Sequence, residues 1–424
     1  MPALCRTLQW LVVLYAISAC SLSAGETVPD PRPAGISDNI HASALEWFDA
    51  YIKSDKLAEL PPLAEKIADK LIAGGNLYVS GDPAFADEWN YRAGGLAGVT
   101  IWKPGTRMGP NDVMVLGITT PNERTSRVFQ HGVITEGYGG FTQALTVYIG
   151  SLNWPQLVRM KEMALTERFK SGLHFIDTNA PVTEGWANIC TGQVATLAVS
   201  WALHVEIVSA LTRKGKTPAV FGSIFAPGGS EYAKTIEGKN IIAEPKIEPV
   251  EAGKLGREYL EVCRKQIAAF RDKGGNERLR GAAQKIAECH KRGGLVFTLA
   301  DGHFWPKGAS IPPSLSRVFF YGPGWQWENF KGMKPEDTLL YFGYIKYPKD
   351  AVDAALKAGS DAIVFAVDEI TAQERVTAVQ LTWENYDGVL TIPNLPYKPG
   401  PSSAVVQLPQ WYSLVAEGDA LMKQ

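Results

Sequence analysis

Cysteine is scarce in this sequence, with five residues among 424. Cys5 and Cys20 lie in an apolar N-terminal segment, which leaves Cys190, Cys263 and Cys289 for the rest of the chain. Three thiols do not make a disulfide framework. A Cys263–Cys289 bridge is disfavoured, because both residues lie in helical patterns where a small buried thiol is the commoner role. The cysteine content therefore excludes a small disulfide-stapled protein.

Clusters of positive charge are also absent. Lys and Arg number 42 against 44 Asp and Glu, and no basic block of the kind that follows a phosphate backbone occurs. Nucleic acid is therefore not expected as a partner. The histidines outside the long apolar run have no metal-ligand spacing, and the chain contains no Walker loop, no dinucleotide fingerprint in a strand-turn-helix setting and no Gly-x-Ser-x-Gly elbow. We predict no metal and no cofactor.

The apolar run near the N-terminus follows Arg6 and precedes small residues, which is the layout of a secretory signal. Ile17-Ser18-Ala19-Cys20 is similar to the bacterial lipobox, whose cysteine is acylated and becomes the new N-terminus. Ordinary cleavage around Ser23 or Ala24 is the alternative. We predict a signal peptide over residues 1–24 with Cys20 as the lipidation site, followed by a proline-rich tether over residues 25–36. We also predict that the protein is exported, either to the periplasm or to a membrane-anchored form. The lipid anchor is the only membrane contact that we expect.

The length of the chain and an internal repeat indicate two domains. A chain of 424 residues exceeds the size at which one core usually stops growing. Residues 63–79 align without gaps with residues 282–298, and the register continues to Asp82 and Asp301. Each copy contains an amphipathic helix, a Gly-Gly stop and a strand rich in β-branched and aromatic residues. These matches favour a duplication over a chance likeness between two helix-to-strand junctions.

Short apolar strands alternate with helices after each copy. Strands are predicted at residues 98–102, 112–118, 145–149 and 173–176, and again at 317–321, 338–342 and 362–367. This alternation is typical of a mostly parallel α/β sheet covered on both faces. We predict domain 1 over residues 37–230, a linker rich in Gly, Pro, Lys and Glu over 231–254, and domain 2 over 255–424. The nearly apolar run 193–211 is predicted to be a buried helix, because it contains His204 and Glu206.

The first copy resembles a known family. The stretches at residues 74–81 and 86–96, with the element Glu-x-x-x-Arg-Ala-Gly-Gly, resemble the opening of sugar isomerase (SIS) domains in an uncharacterised phosphosugar-binding branch. Residues 176–181 and 213–218 occupy the places of later family elements, so that the resemblance covers most of residues 40 to 230. The second copy, through residues 334–337 and 351–369, resembles the family more weakly.

The resemblance implies a doubly wound, flavodoxin-like α/β sandwich with a parallel sheet, present twice, with the second copy divergent. SIS domains often pair so that sites form between two domains, and here either the duplicated halves or a homodimer would supply the pairing. In open parallel sheets the ligand lies beyond the carboxyl ends of the strands. The implied partner is a small sugar or sugar phosphate.

The turn after the first strand departs from the family pattern. Ser80-Gly81-Asp82 follows that strand where a family member more often carries Gly-His-Ser. Gly81 allows a ligand to approach the backbone, whereas Asp82 is suited to cap the following helix. His303 in the second copy is closer to the family turn, so the resemblance leaves open which copy carries an intact site.

Further ligand candidates follow other strands of the first copy. The family binds phosphate with serine-rich turns, and this chain offers Thr119, Thr120 and Ser126 in the corresponding loop, although such hydroxyls are also ordinary turn formers. Asp177 and Asn179 at a strand end are candidates for hydrogen bonds to sugar hydroxyls, or are turn formers. Arg92 of the motif completes the predicted ligand set.

Glu88 and His204 are the catalytic candidates. Aldose–ketose isomerisation needs a base and an acid with pKa values near neutrality, and the resemblance places Glu88 after the first-strand turn and His204 on the long helix. Alternatively, Glu88 pairs with Arg92 along one helix face and His204 is a hydrogen-bonded core residue. Two functions follow: a protein that binds a carbohydrate derivative without catalysis, or a sugar-phosphate isomerase or amino-sugar ether lyase that uses these two residues.

Overall fold

A computed structural model of the chain describes residues 35–103, 105–119, 144–154, 158, 172–181, 185–300, 317–320, 332–370, 373–383 and 388–424. The predicted signal peptide, its lipidation site Cys20 and nearly all of the tether therefore lie outside the described residues.

Helices and strands alternate along the described chain. The helices are α1 (Ile36–Lys53), a 3-10 helix (Asp55–Glu59), α2 (Leu60–Ile72), α3 (Pro83–Trp89), α4 (Gly185–Arg213), α5 (Gly229–Ile236), α6 (Lys254–Asp272), α7 (Gly275–Lys291), α8 (Lys349–Lys357) and α9 (Ser403–Met422). The strands are β1 (Leu77–Gly81), β2 (Val99–Ile101), β3 (Val113–Gly117), β4 (Leu145–Gly150), β5 (Leu173–Asp177), β6 (Thr217–Pro218), β7 (Ile241–Ile242), β8 (Val296–Ala300), β9 (Arg317–Phe320), β10 (Thr338–Phe342), β11 (Asp361–Ala366) and β12 (Val376–Gln380).

Two parallel sheets have the same strand order. Sheet 1 runs β2-β1-β3-β4-β5, and sheet 2 runs β9-β8-β10-β11-β12. Every pairing in both sheets is parallel. The first strand of each half, β1 or β8, therefore lies second from one edge of its sheet. The next two strands along the chain pair on opposite sides of it. This is the doubly wound order, and it confirms the predicted fold class for both halves.

The two Gly-Gly stops occupy equivalent places. A Cβ added at Gly75 would lie 1.8 Å from the carbonyl oxygen of Asn111, and one added at Gly294 would lie 2.0 Å from that of Glu336. The residue after each second glycine donates its backbone N–H to an aspartate: Asn76 to Asp112 at 2.8 Å and Leu295 to Asp337 at 2.7 Å. Close backbone approach thus explains why both second positions are glycine.

Helix α4 is the central buried element. Its residues from Cys190 to Thr212 are buried, which confirms the predicted core helix. By length and composition it is the one helix in the described part of the chain that could cross a membrane, and its apolar stretch lies wholly inside the protein. Glu206 accepts the backbone N–H groups of Gly253 and Gly256 at 2.9 and 2.7 Å, so its carboxylate binds the N-terminus of α6.

One hydrophobic core joins the two halves. It contains β1 and β3 residues such as Val79 and Val115, and β10 and β11 residues such as Phe342 and Phe365. Helix α9 of the second half packs against α1, α4 and α7. The outer face of sheet 2 forms a separate core with α8. The halves are thus covered by each other's helices.

Two local features were not anticipated from the sequence. Strand β12, at the edge of sheet 2, pairs with β11. Residues 231–254, predicted as a linker, contain most of α5 and the short strand β7, which pairs antiparallel with β6. Cys190, Cys263 and Cys289 are buried and none of them forms a disulfide, so the disfavoured bridge is not formed.

Candidate functional site

The carboxyl ends of the sheet 1 strands gather polar side chains. We call this region the sheet 1 edge; its described residues are Ser80–Asp82 at the end of β1, Ile118–Thr119 after β3, Ser151–Trp154 after β4 and Asp177–Pro181 at the end of β5. In a doubly wound sheet the ligand crevice lies at the switch point, where successive connections leave in opposite directions. The strand order places that point between β1 and β3.

A carboxylate bridges the switch point. Asp82 Oδ2 accepts hydrogen bonds from the backbone N–H of Thr119 at 2.5 Å and from its Oγ1 at 2.6 Å. Both residues are buried, at 3% exposure each. Asp82 does occupy the N-cap position of α3, as expected, but its side chain makes no cap hydrogen bond. The expectation of a helix-capping carboxylate was wrong, because the donors of Thr119 lie within its reach.

The backbone at this point is closely packed. Gly81 has φ +112°, and a Cβ added there would lie 2.1 Å from the carbonyl oxygen of Gly117. A Cβ at Gly117 would in turn meet the ring of Phe85 at 2.1 Å. Gly81 therefore brings β1 against β3, rather than opening a space between them. Ser80, one residue earlier, is half-buried in β1.

The ends of β4 and β5 form a second polar group on the same edge. Asp177 Oδ1 accepts the backbone N–H groups of Leu152 and Asn179, each at 2.9 Å, and its Oδ2 pairs with Lys56. Asn179 adopts the left-handed region, with φ 52°, and is exposed. Asp177 is thus a turn former with a cationic partner, and Asn179 presents its side chain at the surface.

The ionisation of Asp177 is set by these contacts. Burial alone would raise the pKa of its carboxyl group, but the Lys56 ammonium and the two backbone N–H groups outweigh burial and hold the pKa below its ordinary value. Asp177 is therefore a carboxylate at neutral pH, able only to accept hydrogen bonds.

Glu88 and Arg92 form a buried ion pair. Arg92 Nε donates to Glu88 Oε1 at 3.0 Å, and the two side chains are 1% and 2% exposed. Trp201 Nε1 of α4 donates to the same carboxylate oxygen at 3.3 Å. Arg92 Nη2 also donates to Ser403 Oγ at 2.5 Å, at the first turn of α9 in the second half. The Glu88–Arg92 ion pair therefore lies where the first half contacts α9 of the second half.

The Arg-Ala-Gly-Gly loop (residues 92–95) joins both halves through its backbone. Gly94 donates to the carbonyl oxygen of Phe221 at 2.8 Å and accepts from Gly400 N–H at 3.0 Å. Gly94 has φ +85°, and a Cβ there would lie 3.1 Å from Pro401. The glycines of the most specific family element thus allow close packing between this loop and the chain before α9.

His204 is bonded to the same segment. Its Nε2 accepts the backbone N–H of Leu96 at 2.8 Å, and its ring lies 4.8 Å from the rings of both Trp89 and Trp201. Burial lowers the pKa of His204 to about 3. The imidazole is therefore neutral at pH 7, with its proton on Nδ1, because Nε2 is an acceptor.

No family model matches the chain. Solved structures match nearly its full length. The C-terminal domain of glucosamine-fructose-6-phosphate aminotransferase from Francisella tularensis is 12% identical, covers 92% of this chain and 95% of its own, and has a TM-score of 0.49. A candidate sugar-binding protein from Salmonella typhimurium LT2 is 8% identical, with 91% and 99% covered and a TM-score of 0.48. A candidate tagatose-6-phosphate ketose/aldose isomerase from Clostridium novyi NT is 9% identical, with 91% and 89% covered and a TM-score of 0.49.

With TM-scores below 0.5, these likenesses carry no conclusion about this chain. Two doubly wound parallel sheets with one strand order, each followed by a long buried helix, are the architecture that the sequence resemblance implies. The described parts of the two halves carry different side chains at their carboxyl edges.

The described part of the carboxyl edge of sheet 2 contains a group of aromatic side chains. The rings of Tyr344 and Trp383 lie 6.4 Å apart, and Phe225 from the first half lies 6.2 Å from Tyr344. Lys346 Nζ lies 5.3 Å above the Phe225 ring. Gln407 Nε2 donates to the carbonyl oxygen of Gly343 at 2.6 Å, in the place where Thr196 of α4 bonds to Ile118 in the first half. Asp301, which the repeat aligns with Asp82, lies outside the described residues.

The structure brings together some predicted site residues and separates others. Ser80, Gly81, Thr119, Asp177 and Asn179 lie on the sheet 1 edge. Glu88, Arg92 and His204 lie in the interior beside α4. Thr120, Ser126 and His303 lie outside the described residues. Among the residues that the structure describes, no group of three His, Cys, Asp or Glu side chains is placed to hold a metal ion.

Three polar residues of the sheet 1 edge were not singled out from the sequence. Ser151 Oγ and Asn153 Nδ2 both donate to the carbonyl oxygen of Ala180, at 2.7 and 2.9 Å. Their position just after a predicted strand was the signal that could have found them. Lys56, from the 3-10 helix, gave no such signal because its partner Asp177 is distant in sequence.

Proposed function

We propose that the protein binds a carbohydrate derivative at the sheet 1 edge, and that it does so without using Glu88 and His204 as catalytic base and acid. The observation that carries the proposal is the edge itself, where hydroxyl, amide and carboxylate groups lie at the carboxyl ends of β1, β3, β4 and β5 of a doubly wound parallel sheet. Such groups are the hydrogen-bonding partners that a polyol requires.

The surroundings of Glu88 favour binding over catalysis. A catalytic base must come within hydrogen-bonding distance of the proton that it removes. Glu88 is 2% exposed, and Arg92 and Trp201 both donate to its Oε1. Because Arg92 stabilises the charged form of its neighbour and the pair is buried, Glu88 has the environment of a structural anion.

The environment of His204 supports the same conclusion. An imidazole with a pKa of about 3 holds no second proton to give to a sugar oxygen at neutral pH. Its Nε2 lone pair is occupied by Leu96 N–H. We therefore assign His204 to the positioning of the Arg-Ala-Gly-Gly loop.

Ligand binding can be tested with a conservative change on the edge. Asn179 and Asn394 are both exposed asparagines in the left-handed region, with φ 52° and 65°. Replacement by glycine removes the side chain and tolerates that backbone conformation. We expect Asn179→Gly to weaken binding of monosaccharides several-fold in saturation-transfer difference NMR, and the matched control Asn394→Gly, in the loop before α9, to leave it unchanged.

Catalysis has its own test. Isomerisation moves a proton between adjacent carbons, so an isomerase run in D₂O places deuterium on the sugar carbon. We expect wild-type protein and Glu88→Gln to give the same absence of deuterium incorporation into any sugar that binds. Incorporation by the wild type that Glu88→Gln abolishes would restore the isomerase hypothesis.

We also propose export of the protein, with Cys20 as a lipid attachment site. The support is the charged, apolar and small-residue order of the leader and its likeness to a lipobox. Mass spectrometry of the mature N-terminus tests this proposal. An acylated Cys20 is the expected result, and an unmodified terminus downstream of it would contradict lipidation.

A further inference from the structure

We infer that the end of β5 holds a hydroxyl group of the ligand, which accepts a hydrogen bond from Tyr51 and donates one to Asp177. The inference rests on the proposed function, because it concerns the same sheet 1 edge. It adds Tyr51 of α1 to the residues that bind the sugar, and the ligand group that it specifies is an alcohol, as on a hexose ring.

The last turns of α1 lie against the end of β5. Trp47 Nε1 donates to the carbonyl oxygen of Thr178 at 2.9 Å. The ring of Tyr51, one turn further along α1, stacks on that of Trp47, with 5.2 Å between the ring centroids. Lys56 of the 3-10 helix then pairs with Asp177. Helix α1 and the 3-10 helix therefore bring a phenol and an ammonium group to this strand end.

The hydroxyl of Tyr51 is buried and has no hydrogen-bond partner among the described residues. The residue as a whole is 2% exposed. Buried polar groups nearly always have a partner, whether in the protein, in ordered water or in a ligand. An ordered water and a ligand hydroxyl both fit the Tyr51 oxygen, and the two differ in what they predict for sugar binding.

The surroundings of Tyr51 set the direction of its hydrogen bond. Burial, together with the carboxylates of Glu59 and Asp177, raises the pKa of the phenol above its ordinary value. The phenol therefore keeps its proton at neutral pH and can donate it in a hydrogen bond. The influence of Asp177 on this pKa also means that the carboxylate lies near the phenol.

Asp177 can accept a further hydrogen bond. An ionised carboxylate has about four lone-pair positions. The described residues use three of them, because Oδ1 accepts the N–H groups of Leu152 and Asn179 and Oδ2 pairs with Lys56. The side chains of Lys56 and Asp177 are 30% and 18% exposed. A ligand can therefore approach this carboxylate, and the nearby Tyr51 hydroxyl, from the surface.

A hydroxyl group suits both partners. It accepts the Tyr51 O–H and donates its own proton to the remaining position on Asp177. An ammonium group has no lone pair to accept from Tyr51, and a carboxylate has no proton to give to Asp177. A sugar carries several hydroxyls on one ring, so a second one can reach the exposed Asn179 amide.

Removing the phenol oxygen tests the contact directly. Binding of glucose, galactose and N-acetylglucosamine to the full chain is measured by isothermal titration calorimetry. For each sugar that the wild type binds, we expect Tyr51→Phe to weaken binding by about threefold or more, because one hydrogen bond is lost.

Tyr232→Phe is the matched control. The Tyr232 hydroxyl, on α5, is also buried without a hydrogen-bond partner in the described part of the chain. Its removal should leave sugar binding unchanged. Thermal unfolding without sugar checks that both variants are folded.

Asp177 is tested by a change that keeps an acceptor for its two backbone N–H groups. Asp177→Asn replaces the other carboxylate oxygen with a donor, and we expect a loss of sugar affinity of about threefold or more. Asp361→Asn is the control, because Asp361 also pairs with a basic residue, Arg292, and its side chain is exposed to a similar degree, 17% against 18%. The double variant Tyr51→Phe/Asp177→Asn should lose less than the product of the two single losses, because both residues bind the same hydroxyl.

The outcomes separate this inference from the proposed function. Wild-type affinity in a folded Tyr51→Phe variant, with Asn179→Gly still weakened, overturns the inference and leaves carbohydrate binding intact. Single losses that multiply fully in the double variant also overturn it, since Tyr51 and Asp177 then act on separate groups. If none of the sugars binds to the wild-type protein, the proposed function fails and the inference fails with it.

Discussion

A buried charge is stabilised by the partners it contacts, and the Glu88–Arg92 pair has partners in both halves of the molecule. Trp201 of α4 donates to the carboxylate, and Ser403 of α9 accepts from the guanidinium. Removing one member of a buried pair leaves the other charge uncompensated, which is far more costly than removing both. These two residues can therefore be tested by stability rather than activity.

We expect Arg92→Met to lower the free energy of unfolding by about 3–5 kcal/mol, because it strands the Glu88 carboxylate in the interior. Chemical denaturation followed by tryptophan fluorescence measures the change. The double variant Glu88→Gln/Arg92→Met should lose less than the sum of the two single losses.

The exposed pair Lys349–Asp353 provides the control, because both side chains are about half exposed or more. Lys349→Met should lower the free energy of unfolding far less than Arg92→Met does, because solvent screens an exposed pair. A loss for Arg92→Met that is no larger than this would contradict the structural role of the buried pair.

Two buried histidines make stability depend on pH. Burial lowers the pKa of His41 to about 4 and that of His204 to about 3, against an ordinary value of 6.5. Between these values the unfolded chain binds protons that the folded chain does not. The stabilising contribution is complete above pH 6.5, and it is lost as pH falls from there through about 4 and 3.

Thermal unfolding measured from pH 7.5 to 4 should therefore show a falling midpoint. In His204→Gln, whose amide oxygen can still accept Leu96 N–H, part of this slope should disappear. A slope identical to that of the wild type would show that His204 does not titrate on unfolding.

At this scale, the sequence could predict which residue types follow each strand, but not which atoms they contact. Asp82 was recognised at a helix start, yet its carboxylate bonds to Thr119 across the sheet. Glu88 and Arg92 were recognised as neighbours on one helix face. The structure contains the pair, but α3 ends at Trp89, so Arg92 lies beyond the helix, and Ser403 is not visible from local spacing. The hydrogen-bond partners of Asp82 and of the Glu88–Arg92 pair are thus set by residues distant in the sequence.

Among the elements, local periodicity predicted most of the strands. The predicted strand at residues 338–342 is β10 itself, and the other predicted strands differ from the observed ones mainly by a residue or two at their ends. Strand β12 was missed because most of its residues are half-buried at the sheet edge and give no apolar run. Strands β6 and β7 have two residues each, too few for a periodic pattern.

The turn from β1 to α3 should tolerate no side chain at Gly81. Gly81→Ala would place a methyl group against the Gly117 carbonyl at φ +112°, and the backbone strain alone costs about 1–3 kcal/mol. We expect a loss of stability together with weaker sugar binding, measured by thermal shift with and without ligand.

Gly281 in α7 is the matched control, because an added Cβ meets nothing within 4 Å. Gly281→Ala should stabilise the protein by about 0.5–1 kcal/mol, since alanine is the better helix former. Equal effects of the two substitutions would argue against close packing at Gly81.

For the molecule as a whole, the shared core predicts cooperative unfolding. Residues of sheet 1 and sheet 2 belong to one hydrophobic cluster, and the Arg-Ala-Gly-Gly loop is bonded to the chain before α9. Differential scanning calorimetry should therefore show a single transition whose calorimetric and van't Hoff enthalpies agree. Two resolved transitions would mean that the halves unfold independently.

The sequence indicated two halves through the repeat, and the equal strand orders agree with that division. The packing of one half's helices against the other half could not be inferred. An amphipathic or apolar pattern shows that a helix is buried, but it does not show which elements cover the helix. Helix α4 is the clearest example: its sequence predicted burial, while only the structure identifies α9 among its neighbours.

Helix α9 is the last described element, and it covers part of α4, which lies about 200 residues earlier in the chain. During synthesis, the ribosome must therefore release Ser403–Met422 before the earlier apolar surface is protected. Until then a nascent chain offers that surface to chaperones or to aggregation, and a message truncated before residue 403 should yield an insoluble product.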